Sequence, residues 1–187
     1  MKKIALPFFL LMLMLASLAC TIFVGGPDYP SQAIPVSNDA AQSIQDAVKQ
    51  AVAAGASTGV ITLQINETQL TSYLAYKLDA QVNPLMTDPQ VYLRDGQMQL
   101  FGKVQRGWFT ANVSIITSVS VDENGKPKID VISTDFGPLP APAGLNDAIS
   151  AIVSEAYTGS LGPVATGFRL DSINIANGVM TLTGRVK

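Results

Sequence analysis

The chain has 187 residues, of which 48% are hydrophobic and only 14% are charged, and its formal net charge is −2. This composition suits a domain with a sizeable core. It excludes nucleic acid as an expected partner, because no cluster of Lys and Arg is present to neutralise phosphates. The absence of histidine excludes His-based triads and removes the commonest metal ligand.

The first twenty residues have the layout of a secretory signal. Lys2 and Lys3 precede an uncharged run from Ile4 to Leu15, and small residues lead up to Cys20. The run is too short for a confident membrane span, which needs about 20 apolar residues. We therefore predict that residues 1–19 are a signal peptide. Its removal takes away two lysines and leaves ten basic and fourteen acidic residues, a net charge of −4.

The residues at the end of this segment resemble a lipobox. Ser17-Leu18-Ala19-Cys20 is similar to the motif of bacterial lipoproteins, in which the cysteine thiol receives a diacylglycerol and becomes the new N-terminus. Lipidation also explains a single cysteine that has no disulfide partner. The alternative is a plain secreted protein, since Ser17 and Ala19 also satisfy an ordinary signal peptidase. A lipid on Cys20 implies an exported protein anchored to the outer face of the cell membrane, or to the periplasmic face of the envelope.

Residues 20–37 are predicted to be the lipidated N-terminus and a flexible tether, because Gly and Pro interrupt the stretch and no apolar period runs through it. Residues 38–187 are predicted to form a single α+β domain. It begins with an amphipathic helix from Asn38 to Ala54. A second helix, from Asn66 to Leu78, is predicted to start with a capping box that includes Gln69.

The chain then alternates with period two, which predicts antiparallel strands. A hairpin is expected at Val91–Val104, turning at Asp95-Gly96. An unusually long strand follows, Phe109–Val121, and a strand of this length must twist or curve. We expect it to turn back into residues 128–136, with a bulge where the apolar phase shifts to Ile132.

A third helix is predicted from Leu145 to Tyr157, followed by a final hairpin that turns at Asn177-Gly178. The two hairpins align without gaps, residues 91–104 on residues 173–186, and each follows a predicted helix. Two helix-plus-hairpin repeats are one interpretation of this match. Convergence on common hairpin chemistry is the other, because short matches arise by chance.

Each hairpin also carries a glycine at the equivalent position, Gly102 and Gly184, on the apolar face of its second strand. A strand glycine indicates a bend or the close approach of another element. The pattern therefore predicts a helix lying across a curved sheet at these points. A long apolar groove and a filled core both remain open.

From residue 60 to residue 187 the chain resembles the YpmS-like and LmeA-like bacterial envelope proteins. The resemblance is carried by ITLQINETQLTSYLAYKL, the hairpin VYLRDGQMQLFGKV, a long strand pair, the turn FGPLP, a helix and a final NG hairpin. These families look like small relatives of tubular lipid-binding (TULIP) domains. The resemblance implies a strongly curved antiparallel sheet wrapped around amphipathic helices, and a lipid or other apolar ligand handled at the cell envelope.

No catalytic motif such as G-x-S-x-G or a P-loop occurs, so we predict no enzyme activity, no cofactor and no metal. We expect a membrane-anchored lipoprotein that binds or transfers a lipid. The alternative is a structural or adaptor lipoprotein with a dry, packed core that acts through an unidentified protein partner. The residues expected to line an apolar ligand site are Leu70, Leu74, Met98, Leu100, Val113, Ile115, Ile149, Ile152, Met180 and Leu182.

Overall fold

A computed structural model describes residues 21–141, 144, 147, 149, 151 and 168–186. Within these ranges two helices pack on a strongly curled, largely antiparallel sheet that forms a half-barrel, so the α+β class is confirmed. The elements, in chain order, are β1 (Ile22–Phe23), α1 (Asn38–Thr58), β2 (Val60–Asn66), α2 (Glu67–Asp79), β3 (Thr87–Arg94), β4 (Gln97–Arg106), β5 (Phe109–Val121), β6 (Pro127–Asp135), β7 (Phe168–Ala176) and β8 (Val179–Val186).

The strands form two groups that join along one side. β3, β4 and β5 pair antiparallel in that order, and β6 pairs with the C-terminal part of β5. β2, β8 and β7 form the second antiparallel group. The groups meet where the amide of Gly178 donates to the carbonyl of Leu93 (3.2 Å) and the amide of Glu67 donates to the carbonyl of Gly178 (3.2 Å). Their apolar faces therefore share one interior.

The first two predicted helices are confirmed. α1 follows the N-cap Ser37 and ends at Gly59, whose φ of 73° is the left-handed conformation that stops a helix. It runs four residues past the predicted end at Ala54, because nothing before Gly59 interrupts it. α2 has the predicted capping box: the side chains of Asn66 and Gln69 each accept a hydrogen bond from the other residue's backbone amide at 2.9 Å.

Both predicted hairpins are confirmed, including their turns. φ is positive at Asp95 and Gly96 and again at Asn177 and Gly178, as two-residue hairpin turns require. The strand pairing is equivalent in the two hairpins. Positions 147, 149 and 151 are helical, but most of the third predicted helix lies outside the described residues. The duplication of a helix-plus-hairpin unit therefore stays a prediction.

The two hairpin glycines lie beside irregularities of the neighbouring strand. β3 changes register opposite Gly102, and β7 changes register beside Gly184. A Cβ atom at Gly102 would lie only 2.7 Å from the sulfur of Met86 and 3.1 Å from the carbonyl oxygen of Thr87. The close approach predicted at Gly102 is therefore confirmed, but the approaching segment is the loop that follows α2 and not the predicted helix.

The long strand is also confirmed, since β5 covers the predicted residues from first to last. Alternate residues of its central part point into the interior, while those between them are partly exposed. The inward residues are buried to an exposure of 1% or less: Ala111, Val113, Ile115 and Thr117.

The predicted bulge lies in β6. Ile116 pairs with Ser133 and Thr117 pairs with Val131, so Ile132 has no partner in the ladder. Its side chain is 53% exposed. A residue left over in this way reverses the alternation of the strand, which accounts for the shift of apolar phase.

Residues 21–36 do not form the free spacer that the sequence predicts; they lie against the sheet, and we call them the strap. β1 pairs in parallel with the start of β5, Ile22 opposite Phe109, along the part of the β5 edge that β6 leaves uncovered. The amide of Val24 continues this pairing by donating to the carbonyl of Thr110 (2.9 Å). The strap belongs to the folded domain because it supplies partners that an open strand edge lacks.

The strap then crosses the outer face of the sheet from β5 to β3. The side-chain amide of Asn112 donates to the carbonyl of Pro27 (3.1 Å), and the hydroxyl of Tyr29 donates to the carbonyl of Asp88. The ammonium group of Lys103 lies 5.7 Å from the centre of the Tyr29 ring. Burial, together with the charge of Asp88, raises the pKa of Tyr29 to about 12, so its hydroxyl keeps the proton that it donates.

A second attachment holds the end of the strap on β3. The side-chain amide of Gln90 contacts both backbone groups of Ile34: its oxygen accepts from the amide (2.6 Å), and its nitrogen donates to the carbonyl (3.4 Å). Gln90 is only 6% exposed, so these bonds satisfy a buried polar side chain. The hydroxyl of Tyr92 donates to the carbonyl of Gln32.

Replacing Gly26 by alanine is expected to release the strap from β5. The φ of Gly26 is +119°, and a Cβ atom would lie 2.2 Å from the backbone carbonyl oxygen of Asn112. Hydrogen exchange of the Ile22 and Val24 amides should therefore accelerate about tenfold or more. Gly25→Ala is the control, because its φ is +101° but no other atom lies within 4 Å of the added Cβ. Unchanged protection in Gly26→Ala would contradict the docking of the strap.

Candidate functional site: an apolar cavity

An apolar cavity of about 160 Å³ lies between α2 and the inner faces of both strand groups. Of the described residues that line it, Tyr73 alone has a side chain with an oxygen or nitrogen atom. The lining residues are Ile65, Leu70, Tyr73, Leu74, Leu78, Leu85, Met86, Val91, Met98, Leu100, Val119, Pro127, Ile129, Ile149, Ile173, Met180 and Leu182.

The helical wall of the cavity depends on a division of α2 into two faces. Leu70, Tyr73 and Leu74, which follow helical spacing, lie on the cavity side and are only partly buried. Small residues occupy the fully buried side. Among them, the hydroxyl of Thr71 accepts a hydrogen bond from the amide of Val91 (2.9 Å) and so fixes α2 to β3. The small, polar side anchors the helix, and the large apolar side chains remain to form the wall.

The sheet wall is built from equivalent positions of the two hairpins. Met98 and Leu100 come from β4, and Met180 and Leu182 come from β8. Val91 and Ile173, the cross-strand partners of Leu100 and Leu182, line the cavity as well. Unbranched methionine side chains adapt to ligands of different shape, so a wall of this composition tolerates several apolar groups.

The structure brings most of the predicted site residues together. Val113 and Ile115 are the exceptions: both are 0% exposed and belong to a packed core that includes Leu78 and Met86. Neither residue lines this cavity, because both are packed within that core. Ile152 and Cys20 lie outside the described residues. The seven predicted residues that do line the cavity are Leu70, Leu74, Met98, Leu100, Ile149, Met180 and Leu182.

Several lining residues carried no signal as site residues in the sequence. Leu85 and Met86 belong to an irregular loop, which shows no apolar period, and Gly102 was the one indication that something lies over β4. Tyr73 and Leu78 lie within the predicted second helix, but the sequence does not show that this helix forms a cavity wall. For the remaining lining residues, the sequence predicts at most that they face inward from a strand. It does not predict that they line a cavity.

A charged pair, Glu67 and Arg94, lies where the two strand groups join. The carboxylate of Glu67 accepts a hydrogen bond from the amide of Leu93 (2.8 Å) and pairs with the guanidinium of Arg94. It lies where the two hairpin turns meet, as the backbone bonds of Gly178 show. Within the described ranges, no three His, Cys, Asp or Glu residues lie close enough to hold a metal ion. No helix of the described part is long and apolar enough to cross a membrane.

No family model matches the sequence, and no curated protein or solved structure matches the chain. The resemblance to YpmS-like and LmeA-like proteins therefore stays a prediction.

Proposed function

We propose that the chain is a membrane-anchored lipoprotein whose half-barrel binds part of a lipid or another apolar ligand. The observation that carries this proposal is the cavity lined by apolar side chains. Such a cavity offers water too few hydrogen-bond partners, and its lining loses dispersion contacts when nothing fills it. An apolar ligand restores those contacts without requiring a specific polar recognition group.

The volume of the cavity limits the ligand. An engineered cavity of about 150 Å³, lined by Leu, Ile and Phe, stays dry and binds benzene. The cavity here is of similar size, about 160 Å³. Sites that enclose a whole drug-sized ligand are larger, about 300–1,000 Å³. The cavity therefore suits the end of an acyl chain.

Lipidation of Cys20 is the second part of the proposal. It follows from the lipobox-like residues, and it would keep the domain at the surface that supplies the ligand. The curled sheet with α2 against its inner side also supports the comparison with tubular lipid-binding domains. The proposed role requires no chemical reaction, so it is the binding or transfer of the ligand. An adaptor with a dry, packed core is the competing role, and it requires the cavity to stay empty.

Photo-crosslinking tests where the ligand lies. Membranes that contain the full chain are supplied with a fatty acid carrying a diazirine near its methyl end, and the adducts are mapped by peptide mass spectrometry. We expect adducts on the segments that contain Met98 and Leu100 and on those that contain Met180 and Leu182. Adducts found solely on the outer surface, or none on these segments, would contradict the proposal.

A further inference from the structure

Four large apolar side chains are exposed together at one end of the sheet, and we call them the apolar edge. Ile22, Phe23, Trp108 and Phe109 are exposed at 55%, 59%, 58% and 45%. They are neighbours because Ile22 pairs with Phe109 and the amide of Ile22 donates to the carbonyl of Trp108 (2.6 Å). Exposed apolar side chains clustered in this way mark an interaction surface.

The apolar edge surrounds the end of the β1–β5 pair. Ile22 and Phe109 are register partners and share one face of the sheet, whereas Phe23, opposite Thr110, points to the other face. Trp108 lies in the turn between β4 and β5. A flat protein partner would cover one of these faces. A lipid bilayer accepts apolar side chains on all sides of an inserted tip.

The chain preceding the apolar edge supports the same partner. Cys20 is two residues from Ile22, and two residues span at most about 7 Å. Because the strap is hydrogen-bonded to β5 from Ile22 onward, it cannot extend away from the domain as a spacer. A diacylglycerol attached to Cys20 therefore holds the apolar edge at the bilayer.

We propose that the apolar edge inserts into the interfacial layer of the bilayer and sets the orientation of the domain on the membrane. This inference rests on the proposed membrane attachment at the N-terminus. Trp suits the interface, since its ring is apolar and its N–H can reach water. Arg106 is exposed beside the edge and is the one charged residue in the stretch from 105 to 110, where it can contact a lipid phosphate.

This orientation also turns one end of the cavity towards the membrane. Leu85 and Met86, which line the cavity, directly precede Thr87, and Thr87 pairs with Lys103 near the end of β4. The next turn carries Trp108. The end of the cavity that these two residues form is therefore the end nearer the apolar edge, whereas Val119 and Pro127 line its far end.

The single tryptophan of the chain provides the test. The full chain is reconstituted into vesicles of phosphatidylcholine and phosphatidylglycerol, with and without phosphatidylcholine brominated on its acyl chains. Trp108 emission should be quenched by the brominated lipid. The control combines Trp108→Phe with Ile132→Trp on β6, where the new probe has similar exposure. Ile132 lies beside Ile116 of β5, which is about 24 Å along that strand from Phe109. The hydrocarbon core of one leaflet is about 15 Å thick, which is less than the distance between the two probes. We therefore expect Trp108 to be quenched about fivefold more strongly than the control probe.

A second variant, Phe23→Ser, should lower the quenching of Trp108 while the lipid retained in the cavity is unchanged. Equal quenching of Trp108 and the control probe would overturn the inference. So would a blue-shifted Trp108 that brominated lipid does not quench, since that result indicates a protein contact. Loss of cavity lipid with Trp108 still quenched would count against the proposed function alone, so the two failures are distinguishable. The wild-type chain gives the decisive reading even if a variant fails to fold.

Discussion

Replacing Ile115 by alanine is expected to lower the free energy of unfolding by about 3 kcal/mol, as large-to-small changes in packed cores do. Ile115 is 0% exposed and belongs to the packed cluster over the centre of β5. Leu100 lies on the next strand, pairs with Ile115 and is only partly buried beside the cavity. Leu100→Ala should therefore cost about 1–2 kcal/mol, because less contact is lost. Chemical denaturation of both variants and the wild type, under one set of conditions, measures the difference.

The same two variants distinguish the packed core from the ligand-binding cavity. Ile115→Ala should leave the amount of bound lipid per folded chain unchanged, whereas Leu100→Ala should alter it, since only Leu100 faces the cavity. Equal stability losses in the two variants would contradict the division between a packed core and a cavity. So would a change in bound lipid that Ile115→Ala alone produces.

Much of the fold could be predicted because its signals are local. The capping box needs only Asn66 and Gln69, and the hairpins need only two-residue turns between alternating strands. The bulge at Ile132 was readable as a shift of phase within one strand. In each case the residues that determine the structure are neighbours in the sequence, so the pattern and its cause coincide.

The strap could not be predicted because its partners are distant and are mostly backbone groups. Tyr29 reaches the carbonyl of Asp88 across 59 positions, and Ile34 reaches Gln90 across 56. Backbone partners leave no periodic pattern in either segment. Gly and Pro residues that suggested a flexible tether instead allow the close passage of Gly26 over Asn112.

The site could be predicted only as a set of apolar faces. Period-two alternation places Leu100 and Ile115 on the same inner face of the sheet, but it does not show which part of that face another element covers. That coverage comes from Leu78 and Met86, at the end of α2 and in the loop after it. Whether an inward residue belongs to the core or to the cavity is therefore a tertiary property.

Replacing Met98 by tryptophan is expected to empty the site of ligand with little loss of stability. Met98 lines the cavity and is only partly buried, so the larger ring can occupy the existing space of about 160 Å³. Bound lipid should fall about fivefold or more, while the free energy of unfolding should change by less than about 1 kcal/mol. The measurements are lipid extraction with mass spectrometry and chemical denaturation.

Val113→Phe is the matched control for this variant. Val113 is 0% exposed and lies in the packed cluster, so added volume there should cost about 1–3 kcal/mol by overpacking. Bound lipid per folded chain should stay at the wild-type level. If Met98→Trp instead destabilised the protein as much as Val113→Phe, the space around Met98 would have to be filled in the native state.

The central claim is that the half-barrel holds an apolar ligand, and the most direct measurement is the lipid that purifies with it. The full chain and Met98→Trp are purified side by side from the same host membranes, and the extracted lipid is quantified per chain. Both carry the same surface lipid, so the difference reports on the cavity. We predict about one more lipid or fatty acid per chain in the wild type. Equal lipid in the two preparations, with both chains folded, would contradict the claim.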